Sequence, residues 1–461
     1  MSTPNFYFER GSITIPADEW NESTQLYLSH IFKYDQRTNQ YRAEARHYAQ
    51  AMMSLHKNNI AYNDKIKQFK PCDFKFIDNS ITPRPYQTEA LEKFSAHRSR
   101  ACIILPTGAG KSFLAMMAIE KVKRDTLILV PTLDLLEQWV ESINKTFAIP
   151  VGRIGGGIKD IQKITVCTYD SAQLMMEFIG NRFGFLICDE CHHLPGPQYQ
   201  FAAIMCVAPF RLGLTATPER SDGKNEYLKE LIGPIAYEQQ IQEMSGIYLS
   251  DYQTHIIEVP LTEEEEKEYK SERKIYTDFI KKNNLDFSNG TTWIDFISLC
   301  FSSEEGKKAF KAHQKQKNIL KTSENKLRKL YDLIQENNQH SILIFTDDNK
   351  TAYRIGETFA LPVITHHTKA KERKEFLEKF KSGEYPILVS SKVLNEGVDV
   401  PEANVGIILS GSGSQREHVQ RLGRILRKVK NKNAVLYELI SKDTSEKWQS
   451  RRRREHSAYS Q

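Results

Sequence analysis

Between residues 99 and 217 short apolar runs alternate with helical patterns, and that alternation restricts the fold more than any other feature of the chain. Five runs, 101–105, 126–130, 163–167, 183–188 and 211–214, have the length and near-continuous apolarity of strands buried on both faces. Each gives way to a polar or Gly-containing segment, the pattern of strands joined by crossover helices in a parallel sheet. A second series at 341–345, 362–365, 386–390, 405–409 and 434–439 predicts a second α/β lobe. In such sheets functional residues gather at the carboxyl ends of the strands.

The 461 residues are too many for one compact domain. Residues 1–80 read as a separate block, strand-like at 5–15 and helical near 43–57, followed by a first lobe over 81–250. Residues 255–325 read as a helical insertion, opened by a capping box in which Thr262 pairs with Glu265 at the head of a charged helix, 262–282. The second lobe then occupies 326–461.

Lys and Arg exceed Asp and Glu by 64 to 58, a net +6 that permits a polyanionic partner without requiring one. No apolar run approaches the ~20 residues of a membrane span, and the polar start lacks a signal-peptide pattern, so a cytoplasmic protein without a membrane partner is expected. Seven cysteines, an odd number, suggest reduced thiols. Cys188 and Cys191 form a C-x-x-C, but no second Cys or His pair follows at zinc-site spacing.

Leu105-Pro-Thr-Gly-Ala-Gly-Lys-Ser112 lies between a buried strand and a helical pattern, where a phosphate-binding loop belongs. Gly108 and Gly110 let backbone N–H groups approach phosphate, Lys111 reaches the β and γ phosphates, and the Ser112 hydroxyl suits Mg²⁺. Thr107 and Ala109 complete the expected cradle. Leu105 stands where the strict pattern has its first Gly.

A second strand ends in Asp189-Glu-Cys-His192. Adjacent carboxylates there fit triphosphate hydrolysis, with Asp189 holding Mg²⁺ and Glu190 orienting and deprotonating the attacking water. His192 beside them is a candidate for coupling. Thr215-Ala-Thr217 closes a further strand with two hydroxyls that could link the acidic pair to the second lobe.

In that second lobe Gln420-Arg-Leu-Gly-Arg-Ile-Leu-Arg427 puts Arg424 and Arg427 on one helix-like face, able to supply an arginine finger. Ser390 and Ser391 could donate to the phosphates of a nucleic-acid strand, whereas Gly397 and Asp399 face the nucleotide side. Arg451 to Arg454 form a basic tail, read equally well as a nucleic-acid patch or a solvated end.

The ordered set Arg84-Pro-Tyr-Gln87, Gly108 to Ser112, Asp189 to His192, Thr215 to Thr217, Glu396 to Asp399 and Gln420 to Arg427 resembles superfamily 2 helicases. The run from Gly411 to Arg427 most resembles the xeroderma pigmentosum group B (XPB) family. That resemblance implies two RecA-like lobes that close on ATP, with Arg84 and Gln87 recognising adenine and Gln420 completing the catalytic set. It implies DNA-backbone contacts at Thr132, Thr168 and Ser391. Residues 1–80, through the stretch from Tyr34 to Ala43, resemble the family's damage-recognition domain, and the helical insertion its thumb.

The family's strand-separating Arg-Glu-Asp appears here as Arg220-Ser221-Asp222, with Arg220 and Asp222 retained and the middle carboxylate missing.

The expected protein is therefore an ATP- and Mg²⁺-dependent DNA helicase or translocase, moving 3′ to 5′ in repair on single-stranded, forked or bubble DNA. A nuclease or other repair protein is a possible partner. Two alternatives remain open: a translocase on duplex or branched DNA with little unwinding, and a non-catalytic DNA clamp recruiting a nuclease.

Overall fold

The computed structural model describes residues 3–78, 82–217, 225–244, 248, 252–287, 292–391, 403–410 and 434–453. Two units divide the chain, the first running to Glu243 and the second starting at Met244.

The first unit opens with β1 (Asn5–Glu9), β2 (Ser12–Pro16), β3 (Lys33–Asp35), β4 (Gln40–Glu44) and β5 (Asn63–Asp64), ordered β3-β4-β2-β1-β5. Phe6, Ile13, Ile15, Leu28 and Leu55 fill a core of their own beneath this sheet. The helix expected from residue 43 begins at Tyr48 instead, because Gln40–Glu44 pairs antiparallel with β2 over its whole length.

The larger sheet of this unit contains β6 (Arg100–Ile104), β7 (Thr126–Val130), β8 (Val151–Gly155), β9 (Ile158–Asp160), β10 (Ile164–Thr168), β11 (Phe185–Asp189), β12 (Phe210–Thr215) and β13 (Ile235–Glu238). Their order is β13-β6-β12-β11-β7-β10-β8-β9, and every neighbouring pair except β8 with β9 is parallel. All five apolar runs of the first series are strands here. Those at the centre, β7, β10 and β11, are buried at every residue, as strands covered on both faces must be.

The second unit carries a six-stranded, wholly parallel sheet of β14 (Tyr252–Val259), β15 (Ile342–Phe345), β16 (Val363–Ile364), β17 (Ile387–Ser390), β18 (Val405–Ile408) and β19 (Ala434–Ser441). Its order is β14-β19-β18-β15-β17-β16. No sequence signal predicts a strand at β14, whose last five residues fall in the block expected to be helical. All eight of its residues pair with β19, and helix begins only beyond Pro260. From there Glu263–Lys282, Trp293–Phe301 and Glu304–Lys321 build a helical subdomain around Phe279, Phe296, Cys300 and Ala309. The capping box forms as expected, with Thr262 Oγ1 accepting from Glu265 N–H and the Glu265 carboxylate accepting from Thr262 N–H.

One buried charge ties this unit together. Lys326, fully buried on the helix Glu324–Glu336, donates to Leu320 O (2.7 Å), Leu409 O (3.3 Å) and Glu446 Oε2 (2.6 Å). The same Glu446 oxygen accepts from Ser441 N–H at 2.8 Å, so the last helix, Glu446–Arg453, is pinned to the end of β19. Removing the carboxylate would strand an ammonium in the core. We expect Glu446→Ala to destabilise the second unit by about 3 kcal/mol or more. The partly exposed pair Lys329–Glu336 should contribute under ~1 kcal/mol when Lys329 is replaced by Ala. Urea unfolding of the two variants measures the contrast.

Candidate nucleotide site

Parallel register sets the site. Leu214 lies opposite Asp189 and Thr215 opposite Ile104, so the ends of β6, β12 and β11 come out side by side. The phosphate-binding loop follows β6, and the helix Lys111–Val122 starts from Gly110. Gly108 and Gly110 hold φ of +84° and +74°, the left-handed region that disfavours side chains. A Cβ on Gly110 would also lie 2.6 Å from Gln87 Nε2. Ser112 is exposed in the first turn of this helix, and Lys111 Nζ donates to Leu105 O at 3.2 Å.

The helix Pro85–Ala96 clasps the loop from one side. Tyr86 OH donates to Ala109 O at 2.7 Å, and Gln87 Nε2 donates to Gly110 O at 3.2 Å. Gln87 Oε1 accepts from Arg84 N–H (3.0 Å), and Arg84 Nη1 donates to Tyr86 OH (3.2 Å). Gln87 therefore sits against the candidate phosphate loop, and Arg84 is joined to it through Tyr86 and Gln87. Tyr86, given no role in the sequence, makes the shortest of these contacts.

At the end of β11, Asp189 is buried. Its Oδ1 accepts from Glu190 N–H (3.0 Å), its Oδ2 from Trp139 Nε1–H (2.9 Å), and its backbone carbonyl from Tyr169 OH (2.9 Å). Loss of hydration and the neighbouring Glu190 charge push the carboxyl up to about 6, against the pull of Lys111 and the Trp139 hydrogen bond. Glu190 itself has φ +47°, a left-handed backbone that is strained for a residue with a side chain. Its Oε2 lies 3.5 Å from His192 Nδ1 and accepts no hydrogen bond.

His192 Nδ1 is 3.0 Å from Thr215 Oγ1. The Thr215 hydroxyl spends its one proton on Thr217 O, at 3.0 Å, so the imidazole must be the donor and carries its proton on Nδ1. Thr217 N–H closes the turn onto Thr215 Oγ1 at 3.2 Å. Asp189, Glu190, His192, Thr215 and Thr217 thus form one connected group.

Thr132 and Thr168 are the N-caps of the helices Leu133–Phe147 and Tyr169–Ile179, accepting from Leu135 N–H and Ser171 N–H. Ser391 is buried just past β17, its N–H donating to Ile364 O at 3.2 Å. Arg220, Asp222, Gly397, Asp399, Gln420, Arg424 and Arg427 lie outside the described residues. Sequence reasoning passed over Trp139 and Tyr169, which read as ordinary core aromatics until their donors are seen on Asp189.

A phosphate loop and an Asp-Glu strand end on one parallel sheet, with a second parallel sheet downstream, define a helicase-type ATPase. Solved structures share this fold: the *Pyrococcus furiosus* Hef helicase domain (TM-score 0.53, 21% identity, 82% of this chain and 100% of that one) and *S. cerevisiae* Dbp5 bound to RNA and ADP BeF3 (TM-score 0.56, 14% identity, 82% and 88%). Family models match the type III restriction enzyme res subunit at residues 80–220, the ERCC3/RAD25/XPB C-terminal helicase at 300–458 and the XPB damage recognition domain at 6–66. A *Sulfurisphaera tokodaii* protein named DNA 3'-5' translocase XPB2 is 40% identical over 95% of this chain and 96% of its own length. The DNA 3'-5' helicase XPB of *Kineococcus radiotolerans* is 29% identical over 79% of this chain, which spans only 60% of that protein. The chain belongs to the XPB family of DNA helicases and translocases.

The raised Asp189 carboxyl makes a pH-dependent prediction for the metal-free protein. A carboxyl whose affinity for protons rises on folding stabilises the fold at low pH, and that contribution is lost as pH climbs through about 6. Asp189→Asn stays neutral and escapes the loss. Its stability should match the parent's below about pH 4 and exceed it by on the order of 3 kcal/mol above about pH 7. Urea unfolding across that range checks the sign, and ATP turnover should be lost throughout.

Proposed function

We propose that the chain is an ATP-dependent DNA motor moving 3′ to 5′, with Lys111, Asp189 and Glu190 at its hydrolytic centre. The observation that carries this reading is the Glu190 carboxylate, directly after Asp189 at the end of β11, with one oxygen 3.5 Å from His192 Nδ1 and accepting no hydrogen bond. In this reading the Glu190 carboxylate takes the proton of the attacking water, and the His192 imidazole against it restrains the side chain. Gly108, Gly110 and the start of the helix Lys111–Val122 offer N–H groups to the phosphates, and Lys111 neutralises charge on the β and γ groups.

Mg²⁺ suits the donors present. Asp189 and the Ser112 hydroxyl are hard oxygen ligands, and an ion that keeps several waters and shares phosphate oxygens needs few protein ligands. When bound, it would neutralise charge on the bridging phosphates. Thr132, Thr168 and Ser391 are the proposed DNA contacts, while Arg424, Arg427, Gln420, Gly397 and Asp399 complete the nucleotide site in this reading. Acidic substrates such as single-stranded, forked or bubble DNA fit the chain's net charge, and a nuclease or other repair protein is the proposed partner.

A second reading, translocation with little strand separation, draws on two facts. The *Sulfurisphaera tokodaii* relative is named a translocase, and Ser221 sits where the family has a carboxylate. Displacing a third strand from a triplex scores translocation, and separating a forked duplex scores unwinding. Comparable rates in both assays favour a helicase; triplex displacement alone favours a translocase. Single-strand tails of opposite polarity test the direction.

Glu190→Gln keeps the shape and removes the base, so ATP and DNA should still bind while turnover falls by about 10² or more. Turnover within about twofold of the parent would remove Glu190 from that role. DNA affinity should fall steeply with added salt and vary little with base sequence, because phosphate contacts release counterions.

A further inference from the structure

Two helices that begin at proposed strand contacts both end their reach on the same aspartate. Thr132 caps Leu133–Phe147, and Trp139, on the second turn of that helix, is buried and donates its indole N–H to Asp189 Oδ2 at 2.9 Å. Thr168 caps Tyr169–Ile179, and Tyr169, the first residue of that helix, is buried and donates its hydroxyl to Asp189 O at 2.9 Å. One donor holds the side chain and the other holds the main chain.

Both helix starts also pack against Gly155. A Cβ built on Gly155, at the end of β8, would lie 3.0 Å from Leu133 Cδ2, 3.1 Å from Leu136 Cδ1 and 3.1 Å from Thr168 Cγ2. Glycine is what lets both N-termini close on one point. Beyond it, Gly156 and Gly157 form the tight turn into β9, with φ of +57° and +87° and open space around Gly157. In the proposed reading a polyanionic backbone meets these two helix N-termini, and each helix is a rigid rod carrying an aromatic donor to Asp189.

We propose that Trp139 and Tyr169 are positioning residues that transmit strand binding at the Thr132 and Thr168 helix starts to Asp189. This rests on the reading of the chain as a DNA-dependent ATPase. Trp139 fixes the carboxylate with Oδ2 engaged from the indole side. Tyr169 fixes the peptide from which that carboxylate hangs. A strand that shifts either helix start moves a donor on Asp189, so nucleotide and nucleic acid are coupled inside one lobe.

The test uses Trp139→Phe and Tyr169→Phe in the full chain, each keeping the ring and deleting the donor. Three quantities are read: the Mg²⁺ concentration for half-maximal binding of a fluorescent ATP analogue, the ratio of ATP turnover with and without single-stranded DNA, and DNA affinity. Trp139→Phe should raise the Mg²⁺ requirement about tenfold, the cost of losing a hydrogen bond to a charged group. Both variants should lower the DNA-stimulation ratio, with DNA affinity within about twofold of the parent. A purely structural role predicts a lower melting temperature with the Mg²⁺ requirement and stimulation ratio unchanged, and that result overturns the proposal. If Trp139→Phe does not fold, Tyr169→Phe decides through the stimulation ratio. If the parent itself shows no stimulation by DNA, the motor reading has failed, whereas an unchanged Mg²⁺ requirement in Trp139→Phe counts against the inference alone.

Discussion

Everything at the hydrolytic centre depends on the parallel pairing of β6, β12 and β11. Parallel neighbours point their carboxyl ends the same way, so three stretches far apart in the chain deliver their loops to one edge of the sheet. The phosphate loop leaves β6, the Thr215–Thr217 turn leaves β12, and Asp189 with Glu190 ends β11. A slip of one residue in any pairing would send these side chains to opposite faces. The complete burial of β7, β10 and β11 makes such a slip costly, and the functional edge inherits its accuracy from the core.

The same burial creates electrostatic tension that the site uses. Asp189 is denied water and placed beside Glu190, so its ionised form is penalised until cationic groups compensate it. Lys111 supplies part of that compensation, and the hydrogen bonds from Trp139 and Glu190 N–H supply more. In the proposed reading a bound Mg²⁺ would supply the rest. Two buried cations elsewhere have their donors taken up within the chain. Arg211, also fully buried, gives its guanidinium N–H groups to the carbonyls of Ala208, Leu231 and Cys206, fixing the approach to β12. Lys326 does likewise for the second unit. Arg211 and Lys326, with their donors engaged, act as structural pins, whereas the Asp189–Glu190 pair is under-compensated, as functional carboxylates often are.

The aromatic donors on Asp189 show how a core residue can serve a site without touching a ligand. Trp139 and Tyr169 lie among apolar side chains and would be counted as packing by burial alone. Their polar atoms are aimed at one residue, and their helices start at the residues proposed to meet the nucleic acid. Rigidity along a short helix is enough to connect the two, since no hinge intervenes between Thr132 and Trp139 or between Thr168 and Tyr169.

The sequence by itself determined the two series of buried strands, the phosphate loop and the identity of the acidic pair, because these signals are local: an apolar run, glycines before Lys111, and carboxylates directly after a strand. The capping box at Thr262 was legible for the same reason. Strands β8, β13 and β14 were not. Val151-Gly-Arg-Ile-Gly155 is broken by glycines, Ile235-Ala-Tyr-Glu238 is short, and Tyr252–Val259 becomes a strand only because β19 is there to pair with it. The helix near residue 43 was misplaced because β2 claims Gln40–Glu44. Only the tertiary structure decided that Asp189 loses its water and holds its proton to about 6, and that Trp139 and Tyr169 aim their donors at it. Desolvation and hydrogen-bond direction belong to residues brought together across the sheet, and no spacing along the chain encodes them.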